Sequence, residues 1–122
     1  MFNQYVIVDG SLRKTGDGFA VDLRIPYYRG LGLSMVDVAL SIDGTPVPKD
    51  AMRFTVHGRE YAMTELEDQV DDRWGFREAA TVTVKDFPLA DGSHDVAVTV
   101  TLRVSYMPVP SVTSVTKTLQ VA

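Results

Sequence analysis

Apolar and polar residues alternate with a period of two along most of this chain. Phe19, Val21, Leu23 and Ile25 are separated by Ala20, Asp22 and Arg24, the pattern of a strand with one buried and one wet face. Val36, Val38, Leu40 and Ile42 repeat the pattern, as do Met52, Phe54 and Val56, and then Ala80, Val82 and Val84. The longest run places Val96, Val98, Val100, Leu102, Val104 and Tyr106 on one face and Asp95, Ala97, Thr99, Thr101, Arg103 and Ser105 on the other. The stretches Tyr5 to Val8 and Val115 to Val121 alternate less cleanly but remain rich in strand-forming residues. Turn signals fall between the runs: Thr15-Gly16-Asp17-Gly18, Asp43-Gly44, His57-Gly58 and Asp91-Gly92. About seven short strands, each apolar on one side, bury those sides by packing two sheets face to face or by closing a barrel, and the sandwich is the expectation. The pattern therefore predicts an all-β fold, a single-domain antiparallel β-sandwich spanning residues 1–122.

One segment breaks the alternation. Thr64-Glu65-Leu66-Glu67 has the spacing of a capping box, in which the Thr64 hydroxyl accepts from the Glu67 amide and the Glu67 side chain reaches back. It predicts one short helical insertion from about Glu65 to Val70. No internal repeat or linker divides the chain.

Composition narrows the function classes. A length of 122 residues suits one domain with a real core, and 45% hydrophobic with 23% charged residues is ordinary for a globular protein. The net charge of -4, with both signs interspersed, offers no basic stripe to nucleic acid. There is no cysteine, hence no disulfide and no thiolate ligand or nucleophile. No stretch has the length or apolarity of a membrane span or leader, and a cytoplasmic location is the expectation.

The search for chemistry is mostly negative. His57 and His94 lack metal-ligand spacing, and a structural role is expected of each. Glu65, Glu67, Asp68, Asp71 and Asp72 lack the spacing and central glycine of a calcium loop, so they read as a solvated acidic helix start. There is no Gly-x-Ser-x-Gly and no phosphate-binding glycine loop. An independent enzyme is not expected, and neither catalytic nor metal-ligating residues are assigned.

Two connections carry apolar residues where solvated loops favour small polar ones. The first is Pro26-Tyr27-Tyr28-Arg29-Gly30-Leu31-Gly32-Leu33; Tyr and Arg are the residue types that anchor interfaces. Two readings stand for it: a partner-contacting loop, or one whose Tyr27, Leu31 and Leu33 fold inward to seal the sandwich. The second, Tyr106-Met107-Pro108-Val109-Pro110, is a bulge or another contact loop. The only tryptophan, Trp74, reads as a core plug beside Phe76, with sugar stacking as the alternative.

These residues also carry a resemblance. Phe2-Asn3-Gln4-Tyr5, the Pro26 to Leu31 loop running into Leu33-Ser34-Met35, Tyr61 to Leu66 followed by Trp74-Gly75-Phe76, and Leu102-Arg103-Val104-Ser105-Tyr106 together resemble the small, or β, subunit of bacterial C-glycoside deglycosidases. The likeness extends over nearly the whole chain. It implies a larger, TIM-barrel-like α subunit as partner, holding a divalent metal such as manganese that this chain does not bind. It also implies cleavage of the carbon–carbon bond between sugar and aglycone in a 3-keto C-glycoside of flavonoid type. A ketone at C3 acidifies the C2 proton, a metal stabilises the enediolate, and the aromatic carbon leaves once protonated. The small subunit is then a non-catalytic accessory that docks on the barrel and stabilises it. Tyr27, Tyr28, Arg29, Leu31, Met107 and Val109 are the candidate interface or active-site entrance, and Trp74 a possible aromatic contact. The alternatives are a free-standing carbohydrate-binding module using Trp74, Tyr27 and Tyr28, and a structural domain of a homo-oligomer.

Overall fold

A computed structural model describes residues 6–25, 31–69, 72–75, 78–103 and 109–121. Eleven strands occur among them: β1 (Arg13–Lys14), β2 (Phe19–Arg24), β3 (Leu31–Gly32), β4 (Val36–Ile42), β5 (Thr45–Pro46), β6 (Met52–Val56), β7 (Arg59–Ala62), β8 (Arg73–Trp74), β9 (Ala79–Val84), β10 (Ser93–Leu102) and β11 (Ser111–Gln120). They form one sheet in the order β1-β2-β9-β6-β7, a second in the order β11-β10-β4-β5, and a separate β3-β8 ribbon. Every pairing is antiparallel.

Register puts the alternating apolar residues on common faces. Val21 and Phe54 both lie opposite Val82, and Val98 lies opposite Leu40. The faces of both sheets meet in one buried cluster that includes Phe19, Leu23, Phe54, Val82, Val38, Leu40, Val100 and Leu102. Each such side chain contributes roughly 1.5–3 kcal/mol relative to exposure, which is why a one-residue slip in any strand is excluded. The all-β sandwich expected from the alternation is the observed architecture.

The turns follow from their residues. Asp43-Gly44 (φ 50 and 84) and His57-Gly58 (φ 54 and 74) each take two successive left-handed conformations. They are the two-residue loops of β4–β5 and β6–β7, whose twist suits adjoining antiparallel strands.

The structure differs from the sequence-based expectation in three places. The helical insertion is a 3-10 helix at Met63–Asp68, starting two residues early, with Ala62 at its N-cap and no side-chain capping bond. Packing overrides the capping box: in a three-residue period Met63 and Leu66 share a face, and both are buried. Among the described residues the longest run forms β10 up to Leu102, and beyond it the Arg103 amide bonds the Met35 carbonyl at 2.8 Å; the expected continuation through Val104 to Tyr106 lies outside the described residues. Strand β7 carries no alternation because it is a sheet edge, with none of its side chains fully buried. Among the described residues, the run near Tyr5 contributes an Ile7–Leu23 bridge beside β2 and no strand of its own. No helix among the described residues is long and apolar enough to cross a membrane.

Candidate functional site

The loop that stands out in the sequence leaves the core at Ile25 and re-enters it at Leu31, both buried. Tyr27, Tyr28 and Arg29 lie outside the described residues, as do Met107 and Phe76. Leu31, expected as a contact residue, is buried and pairs with Trp74 across the β3–β8 ribbon, and Leu33 is buried beyond it. Val109 stands differently. It is 68% exposed and, with Val112 at 61%, is one of two large exposed hydrophobic residues among those described.

Trp74 is fully buried. Its ring meets Phe54 edge-on at 5.3 Å, and its indole N–H donates to the Glu78 carbonyl at 3.0 Å. Both ring faces are lost to the core, so Trp74 gives no platform for a sugar. The core-plug reading holds, with Phe54 as the described aromatic neighbour.

The same ribbon positions a polar cluster that spacing alone did not reveal. Asp72, one residue before β8, accepts hydrogen bonds from the Tyr61 hydroxyl (2.5 Å), the Arg73 amide (2.8 Å) and His57 Nδ1 (3.1 Å). Its own carbonyl accepts from the Leu33 amide at 3.0 Å. It was expected on a solvated acidic turn; instead it is buried, and its donors replace the lost water. The Tyr61 hydroxyl bond, then the Arg73 amide and His57, hold its carboxyl down at about 2 against the opposing effect of burial.

His57 sits at the tip of the β6–β7 hairpin and bridges two carboxylates, Nδ1 to Asp72 and Nε2 to Glu78 at 2.5 Å. A neutral imidazole has one N–H, so this geometry calls for the imidazolium. Its pKa is raised first by the Asp72 hydrogen bond and next by Glu78. The phenol of Tyr61 is raised as well, first because ionising it would forfeit the hydrogen bond it donates to Asp72. His94 repeats the theme elsewhere: Nε2 faces the Ala90 carbonyl at 2.8 Å and Nδ1 faces Asp43 at 2.7 Å, and both contacts raise its pKa.

Chemically, the cluster is a clamp. An imidazolium with both N–H groups engaged has no lone pair to accept a proton, which removes His57 as a general base in this state. Among the described residues no three His, Cys, Asp or Glu side chains are arranged to hold a metal ion; His57, Asp72 and Glu78 point their polar atoms at one another instead. The clamp ties the β6–β7 turn to the strand that flanks the re-entry of the Tyr27–Arg29 loop. The signal that could have found it was the His57-Gly58 turn, which fixes the imidazole at a hairpin tip.

Comparison with known proteins decides the family. Residues 2–106 match the family described as C-glycoside deglycosidase beta subunit. The chain belongs to that family. The 3'-dehydrocarminate deglycosidase beta subunit of a Microbacterium species is 34% identical over 110 residues, covering 89% of this chain and 83% of that protein. A C-glycoside deglycosidase beta subunit of Arthrobacter globiformis is 36% identical over 104 residues, 83% of this chain and 79% of its own length. Another, from Microbacterium trichothecenolyticum, is 34% identical over 109 residues, 88% and 82% of the two chains. A family of beta subunits implies a partner, so the chain is one subunit of an enzyme complex.

Proposed function

We propose that this chain is the non-catalytic accessory subunit of a C-glycoside deglycosidase built from two kinds of subunit, docking on and stabilising a larger, metal-dependent barrel protein. The complex cleaves the sugar–aglycone carbon–carbon bond of 3-keto C-glycosides, and its divalent metal, manganese, resides in the large subunit. The observation that carries the reading is the family match over residues 2–106. The name of the Microbacterium relative, which specifies a 3'-dehydro substrate, supports a sugar oxidised at that position. The clamped state of His57 supports the accessory role, because this imidazole is engaged in holding the fold.

In this reading the clamp and the β3–β8 ribbon give the Tyr27–Arg29 loop rigid ends, and a loop with fixed ends loses less freedom on docking. Val109 contributes exposed apolar area to the same assembly. The test is co-expression with a candidate large subunit, size exclusion, and measurement of aglycone release from a 3-keto C-glycoside with manganese. Activity found only in the two-chain complex, and reduced by Tyr28→Ala or Arg29→Ala, is the expected outcome. Full activity of the large subunit alone would overturn the reading.

A further inference from the structure

A cleft of about 290 Å³ opens between the start of β4, the Lys49–Ala51 turn and the Met63–Asp68 helix. Val36, Met63 and Leu66, all buried, form its base, and Asp37, Lys49 and Arg103 bring charge to it. Two of those charges are already matched. Lys49 Nζ lies 2.5 and 2.7 Å from the two oxygens of Asp37, which balances the charge of that carboxylate. Arg103 is different. Its backbone is fixed by the Met35 carbonyl, and its guanidinium makes one hydrogen bond, to the Ser34 carbonyl at 3.4 Å, near the limit for such a bond. A guanidinium carries five N–H donors, and the others have no protein acceptor among the described residues.

Among the described residues the cleft thus holds one uncompensated positive charge, on a chain whose net charge is -4. Its complement is a carboxylate, whose two oxygens fit the planar fork of an arginine. A small free anion is a poor occupant: the cleft is open, and an anion resting on one arginine keeps most of its water. A carboxylate carried on a protein surface brings surrounding surface that excludes that water, and arginines so covered are frequent anchors of interfaces.

We propose that this cleft receives an Asp or Glu side chain of the partner large subunit, which forms a two-pronged ion pair with Arg103. The inference rests on the accessory-subunit reading and names one of its contacts. The test is calorimetric titration of the purified large subunit with the full-length chain and with Arg103→Gln, Arg103→Lys and Asp37→Asn. Arg103→Gln is expected to weaken association by about tenfold or more without lowering Tm, because the side chain is exposed. Arg103→Lys, which keeps the charge and loses the fork, falls between. Asp37→Asn leaves affinity unchanged or raises it. Association within about twofold of wild type for Arg103→Gln overturns the docking contact while leaving the subunit reading standing. Saturable binding of free glutarate to the isolated chain, abolished by Arg103→Gln, would make a small anion the occupant and overturn it too. Absence of any complex with the wild-type chain sinks both.

Discussion

Replacing Asp72 by Asn tests whether the polar clamp stabilises the fold. The carboxyl is held at about 2 against an ordinary value of 3.8 by Tyr61, the Arg73 amide and His57. A tenfold change in acidity corresponds to about 1.4 kcal/mol, so the ionised form contributes about 2 kcal/mol of stability when fully charged. The Asp72 side chain keeps 11% of its exposure, so solvent screening makes that figure an upper bound. An amide of the same shape keeps one acceptor, but it cannot satisfy Tyr61, His57 and the Arg73 amide together. The sign is fixed by linkage. A depressed folded pKa gives stability that is present above the unfolded value and lost as pH falls toward the folded one. Asp72→Asn is therefore expected to be about 2 kcal/mol less stable at pH 6, with the gap closing as pH drops from about 4 to about 2. Urea unfolding followed by fluorescence of Trp74, the only tryptophan, measures this directly. In the variant, His57 should also titrate lower by proton NMR, because its first cause of elevation is gone. A gap below about 0.5 kcal/mol at pH 6, or one that stays constant down to pH 3, would refute the reasoning.

Three further outcomes are expected. His57 and His94 both have raised pKa values, so their contribution is full below the unfolded value of 6.5 and declines as pH rises through the folded values; Tm should fall on the alkaline side of about pH 6.5, and less so in His57→Gln. Trp74→Phe keeps the contact with Phe54 but orphans the Glu78 carbonyl, at a cost of roughly 1–2 kcal/mol, whereas Trp74→Ala opens a cavity costing roughly 3–5 kcal/mol; circular dichroism melts should separate the two. A Cβ placed on Gly18 would overlap the Val84 carbonyl oxygen, so Gly18→Ala should lose about 1–3 kcal/mol through displacement of β2 from β9, visible as faster amide exchange along that pair.

Period-two alternation determined the strands that make the core. Val36 to Ile42 and Met52 to Val56 have the predicted limits, because burying one face of a strand leaves a signal at every second residue. The glycine turns were equally legible, since left-handed backbone at Gly44 and Gly58 is encoded locally. Resemblance in the sequence also identified the family. Tertiary structure decided the rest. Leu31 and Leu33 turn inward because β3 has β8 to pair with, a partner some forty residues away that no local pattern announces. The acidic run yields one buried carboxylate, Asp72, because Tyr61 and His57 arrive from a hairpin elsewhere in the chain to replace its water. Arg103 lies on the polar face of a strand in the sequence; that it borders a cleft whose other charges neutralise each other depends on Lys49 reaching Asp37. Strand faces are written in the chain because the period of two is a property of the backbone. The pairing of charges and polar groups is set by distances that only the packed sheets bring within a few ångströms.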